Sequence, residues 1–211
     1  MAERTLSQRR CSMTTGNEGH TTIGRDAAGA RRARRLIIAA VALAVIGNIV
    51  TFAVTWSRQT PKRFATLAPG VLYRSAQPTA AQVGFLAEEY GIRTIVIARS
   101  GDSERLAAER RAAARAKVAV VQIPIESRGA LEPGAIETFF SIVDDPERRP
   151  VLVHCAAGRH RTGILCALYR VRRQGWPAER ARAEMLSFGF DVDDHQAVLN
   201  QFDELTRPTT D

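Results

Sequence analysis

The apolar positions of this chain fall into two regimes. Residues 36–56 run without a charge and are broken only by Asn48, Thr51 and Thr55. At about 1.5 Å of rise per helical residue, such a stretch reaches across the roughly 30 Å apolar layer of a bilayer. It is apolar on every face, unlike the amphipathic helix of a soluble core, and no small-x-small cleavage site follows it. The pattern predicts one transmembrane helix over 36–56, with Trp56 in the interfacial belt. Residues 1–35 are rich in Arg, Ser, Thr and Gly and lack apolar periodicity, so a disordered basic tail is expected there. Met13 is an alternative start. Residues 57–68 read as a polar linker.

From residue 69 to 207 short apolar, β-branched runs alternate with helical periodicity. Strands are predicted at 72–75, 92–98, 118–123 and 151–153. Helices are predicted at 79–90 with Thr79 as cap, 103–116, 133–143 from Pro133, 162–174, 178–186 and 194–205. The alternation implies an α/β fold, a central mainly parallel sheet flanked by helices. The charge run of 103–116 reads as a solvated face.

Charge refines this picture. The net charge is +8, but residues 1–35 hold eight Arg against three acids, so +5 of it is local to the tail. No aromatics interleave the basic residues, which argues against a nucleic-acid partner. Arg25, Arg31, Arg32, Arg34 and Arg35 precede the span, whereas Arg58, Lys62 and Arg63 follow it. That bias favours a cytoplasmic N-terminus and a domain facing outward. Cys11, Cys155 and Cys166 have no close-spaced partner for a disulfide framework or zinc site. A reactive thiolate in an oxidising compartment argues mildly for the opposite orientation.

The chemistry concentrates in residues 151–163, an apolar strand ending in His154-Cys155, five residues, then Arg161-Thr162-Gly163. A loop between a strand and a helix N-terminus points free amides and a partial positive charge at its contents, which suits an anion. Gly158 and Gly163 allow tight turning and close approach to a ligand. In that field, beside Arg161, the Cys155 thiol loses its proton more readily and becomes a nucleophile. The planar fork of Arg161 grips two phosphoryl oxygens into the transition state. Thr162 offers its hydroxyl to the sulfur, helping it leave in a second step. His154 is expected to face away from the ligand and hold the loop by hydrogen bonds. No metal or cofactor is called for.

These residues resemble the active-site signature of the cysteine-dependent protein tyrosine phosphatase superfamily, in its small bacterial or atypical dual-specificity branch. The segment 70–78, Gly-Val-Leu-Tyr-Arg-Ser-Ala-Gln-Pro, is similar to the opening strand of that branch, and the resemblance covers roughly residues 62–207. It implies hydrolysis of phosphomonoesters through a phosphocysteine, with Cys155, Arg161 and Thr162 catalytic and Ala156, Ala157, Gly158, Arg159, His160 and Gly163 binding substrate. The family places an Asp about thirty residues before the Cys as general acid. Here residues 121–125 hold no acid; Glu126 is the nearest candidate, followed by Glu132, and Asp191, Asp193 and Asp194 are a third possibility, although they read first as a helix cap. Arg159 and His160 add basic character, and residues 158–163 resemble the loop of atypical phosphatases of inositol polyphosphates. The expected partner is thus a phosphorylated protein, a phospho-metabolite or a lipid headgroup. A phosphate-binding pseudophosphatase and a rhodanese-type sulfur transferase remain as alternatives.

Overall fold

The computed structural model describes residues 23–128 and 130–207, in two compact units, 1–53 and 54–211. The first is dominated by helix α1 (Ile23–Gln59), which continues past the unit boundary. Within it, Gly29–Phe52 has a mean hydropathy of 2.2 and none of it is buried. At 1.5 Å per residue this segment is about 36 Å long, enough to cross a membrane. Past its four arginines, the polar side chains Asn48 and Thr51 donate to the carbonyls of Ala44 and Gly47, both at 2.8 Å, so the helix satisfies them itself. Residues 23–35 were expected to be disordered and are instead helical. Alanines and arginines there are good helix formers and extend the apolar helix backwards by a few turns. The rest of the tail, with Cys11 and Met13, and the Trp56 side chain lie outside the described residues.

The second unit is built on a five-stranded sheet. Its strands are β1 (Ala65–Ala68), β2 (Leu72–Ala76), β3 (Thr94–Ala98), β4 (Ala119–Ile123) and β5 (Val151–Cys155). The order is β1-β2-β5-β3-β4, parallel throughout except for β1, which pairs antiparallel with β2 at the edge. Side-chain alternation sorts the strands onto two faces. Ile95, Ile97 and Leu152 point into one cluster with α2 (Ala80–Glu89) and α3 (Glu104–Arg115). Val96, Ala98, Val151 and Val153 point into the other, with α4 (Pro133–Asp144), α5 (His160–Gln174), α6 (Ala178–Ser187) and α7 (Gln196–Leu205). Both faces are covered, which is why these strands read as continuous apolar runs.

The linker expected over 57–68 is not one. Residues 57–59 finish α1 and Ala65–Ala68 is an edge strand, four residues too short for periodicity to register. Thr79 caps α2 in a reciprocal capping box with Gln82, and Gly175, at φ 65°, ends α5 in the left-handed region. The last helix opens later than expected, at Gln196, after a 3₁₀ turn at Asp193–His195. β5 lies between β2 and β3, and its carboxyl end opens where the flanking helices change faces, the usual place for a ligand in such a sheet.

Candidate active site

β5 delivers His154 and Cys155 to that edge, both buried. The next residues form a loop in which the Gly158 amide donates to the Cys155 sulfur at 3.3 Å. Only glycine fits at 158. Its φ is +68°, and a Cβ there would sit 2.5 Å from the Ser75 carbonyl oxygen. The loop closes into α5 at His160, two residues before the expected start.

Burial alone would push the Cys155 thiol up. Hydrogen bonds from the Thr162 hydroxyl and amide, the Arg161 charge and the Gly158 amide outweigh it and bring the thiol below its ordinary value. The Thr162 hydroxyl is fully buried, and it is the strongest of the groups that lower the thiol. By contrast, Cys166, buried in α5, is pushed up to about 11 and is inert.

The loop is held from below by His154, the residue expected to do so, and by others that the sequence did not single out for this role. His154 faces two acceptors, the Cys155 carbonyl at 3.2 Å and the Glu109 carboxylate at 2.6 Å. The other oxygen of Glu109 accepts from Gln77 at 2.8 Å, and the Gln77 amide donates to the Ala156 carbonyl at 3.3 Å. Glu109 is fully buried, so the solvated-face reading of α3 fails at this position. It stands on the apolar stripe with Leu106 and Ala113, the one signal that would have found it. Arg74, 1% exposed, donates to the Gly158 carbonyl at 2.7 Å and lies 3.8 Å over the Phe188 ring. Arg63 reaches the Ala157 carbonyl at 3.2 Å.

The remaining candidates divide. Ala156 and Ala157 are exposed in the loop, and the exposed Arg159 runs alongside Gly189. At Gly163 a Cβ would meet the Met185 side chain at 3.0 Å, so its missing side chain gives α5–α6 packing room. His160 does not add the charge expected of it. It stacks on His195 at 3.5 Å with Phe190 edge-on at 5.2 Å, and burial, with the neighbouring His195, lowers its pKa to about 4. At neutral pH it is uncharged and adds no basic character.

Glu126 is exposed in the loop after β4, between two pinned carbonyls. Arg161 donates to Ile125 at 3.1 Å, and His195 Nε2 contacts the Ser127 carbonyl at 3.1 Å. Glu132 is instead the N-cap residue of α4. Asp191 accepts from the amides of Asp193 and Asp194, organising the 3₁₀ turn before α7 as a capping group.

Residues 46–201 match the family described as DSP-PTPase phosphatase fused to NAD+ kinase. The dual specificity protein phosphatase TpbA of Pseudomonas aeruginosa is 30% identical over 169 residues, covering 76% of this chain and 74% of that protein. This chain belongs to the DSP-PTPase family. It is a cysteine-dependent phosphatase. The crystal structure of P. aeruginosa TpbA aligns with a TM-score of 0.55 at 30% identity, covering 68% of this chain and 88% of that one. The core catalytic domain of the PP-IP phosphatase SIW14 from S. cerevisiae shares the DSP-PTPase fold at 23% identity, with a TM-score of 0.61 over 72% of this chain and 89% of that one.

Proposed function

We propose that this phosphatase is membrane-anchored through residues 36–56 and hydrolyses phosphomonoesters of the phosphotyrosine or dual-specificity type through a phosphocysteine. The observation that carries the reading is the buried Cys155 thiol, lowered below its ordinary pKa inside a loop of amides. Its thiolate attacks phosphorus, forming the S–P bond as the P–O bond to the leaving group breaks. Loop amides from Ala156 to Arg161 and the Arg161 fork take up the equatorial oxygens. Glu126 gives its proton to the leaving oxygen. Water then gives a proton to the Glu126 carboxylate and attacks the thiophosphate, forming a new P–O bond as the S–P bond breaks, and the departing thiolate recovers the hydrogen bond of Thr162.

The dual-specificity reading is supported by the likeness to TpbA. The inositol polyphosphate alternative rests on the basic loop and on the fold shared with an enzyme described as a PP-IP phosphatase. The anchor is supported by the length and hydropathy of Gly29–Phe52, and the outward orientation by the flanking arginines.

Cys155→Ser is expected to abolish hydrolysis of p-nitrophenyl phosphate while the protein still folds; turnover surviving in that variant overturns the mechanism. Arg161→Lys is expected to lose about a hundredfold or more in kcat/KM, because a point charge cannot replace the fork.

A further inference from the structure

We propose that Arg74 is a positioning residue for phosphoryl transfer: from behind the phosphate loop it fixes the Gly158 carbonyl, and so aims the Arg159 amide at the phosphoryl oxygens with a buried positive charge at its back. The assignment rests on the phosphatase reading above, which supplies the anion.

Arg74 lies outside residues 154–163, in the middle of β2 and in register with Val153 of β5. It is 1% exposed and shares the sheet face of Leu72, among the apolar side chains of that cluster. An arginine does not shed its proton there, and a buried charge is costly unless something offsets it. Arg110, Arg111, Arg148, Arg170, Arg173 and Arg182 each face an Asp or Glu, whereas Arg74 makes no ion pair among the described residues. Its Nη2 donates to the Gly158 carbonyl at 2.7 Å, and its guanidinium lies 3.8 Å over the Phe188 ring. Nε and Nη1 are buried with no hydrogen-bond partner among the described residues. The charge is thus spent on the phosphate loop, where the reaction brings an anion.

Peptide geometry carries this contact into the site. Across a planar trans peptide the carbonyl and the following amide point opposite ways. One residue earlier the loop shows the consequence: Arg63 holds the Ala157 carbonyl at 3.2 Å, and the Gly158 amide of that same peptide meets the Cys155 sulfur at 3.3 Å. Arg74 does to the next peptide what Arg63 does to this one, which turns the Arg159 amide inward beside that of Gly158. Phe188 seats both arginines, its carbonyl accepting from Arg63 Nε at 3.0 Å and its ring lying under Arg74. The thiolate and a phosphomonoester dianion together carry more negative charge than Arg161 alone balances. Arg159 is exposed and screened by water, but Arg74 is buried, so its field persists at the loop.

The test reads anion binding without turnover, on the full chain in detergent micelles. Affinity for inorganic phosphate is measured by titration calorimetry in the Cys155→Ser protein, with and without Arg74→Met, which keeps the reach of the side chain and removes its charge and donors. The dissociation constant is expected to rise about tenfold or more, and kcat on p-nitrophenyl phosphate in the chain that keeps Cys155 is expected to fall by at least as much. A merely structural role would lower the melting temperature and leave the phosphate affinity of the folded protein unchanged; that result overturns the assignment. Where Arg74→Met does not fold, Phe188→Leu decides, because it unseats the guanidinium from a partly exposed position. Phosphate affinity weaker by about threefold or more then supports the role of Arg74, and affinity equal to that of Cys155→Ser alone overturns it. If phosphate binds as expected while the parent chain turns over no phosphomonoester, the phosphatase reading fails and the aiming of the anion by Arg74 stands.

Discussion

Cys155 is set by three kinds of contact that the sequence records differently. The spacing from Cys155 to Arg161 and Thr162 is local, so the nucleophile and its partners were legible from thirteen residues. Thr162→Val removes a hydrogen bond that favours the thiolate, so the thiol pKa rises and the acid limb of kcat/KM moves to higher pH. The rate of iodoacetamide alkylation of Cys155 against pH reads the same shift without substrate. His160 was not legible, because its neutrality depends first on burial and then on His195, which the fold brings back from far down the chain. Its pKa is depressed from 6.5 to about 4, so between those values the unfolded chain binds a proton that the folded one refuses. The fold accordingly loses stability as pH falls through that window. Melting temperatures measured from pH 7 to 4 are expected to fall less steeply in His160→Phe than in the parent.

At the scale of elements, the period-2 and period-3.6 patterns located four of the five strands and all six helices of the catalytic unit, because each has a continuous apolar face. β1 escaped: it is four residues long and is held by its pairing of Ala65 with Arg74 rather than by a face of its own. Glu109 escaped because a charged residue in a charge-rich helix looks solvated until the helix is docked. Its contact with His154 ties α3 to the end of β5, directly under the nucleophile. Glu109→Ala strands two buried partners, Gln77 and His154, and is expected to cost about 1–3 kcal/mol in chemical denaturation while also lowering kcat. Gly158→Ala forces a Cβ against the β2 backbone at an unfavourable φ, with an expected loss of about 1–3 kcal/mol.

At the scale of the molecule, an apolar helix precedes, along the chain, a catalytic unit built around the phosphate loop. The apolar helix was legible from hydropathy alone, although it starts well before the apolar run, where propensity and not hydropathy carries it. The full chain is expected to stay with membranes through high-salt and carbonate washes and to be released by detergent; release by salt alone contradicts the anchor. Protease added to sealed cells or vesicles reads the orientation, with cleavage of the catalytic unit from outside as the expected outcome. The central claim is chemical and is tested most directly by trapping. The protein is mixed with p-nitrophenyl phosphate, quenched in acid within the first turnover and digested for mass spectrometry. The account predicts one added phosphoryl group on the peptide containing Cys155, absent from Cys155→Ser. Phosphate release at full rate with no adduct on that peptide would contradict it.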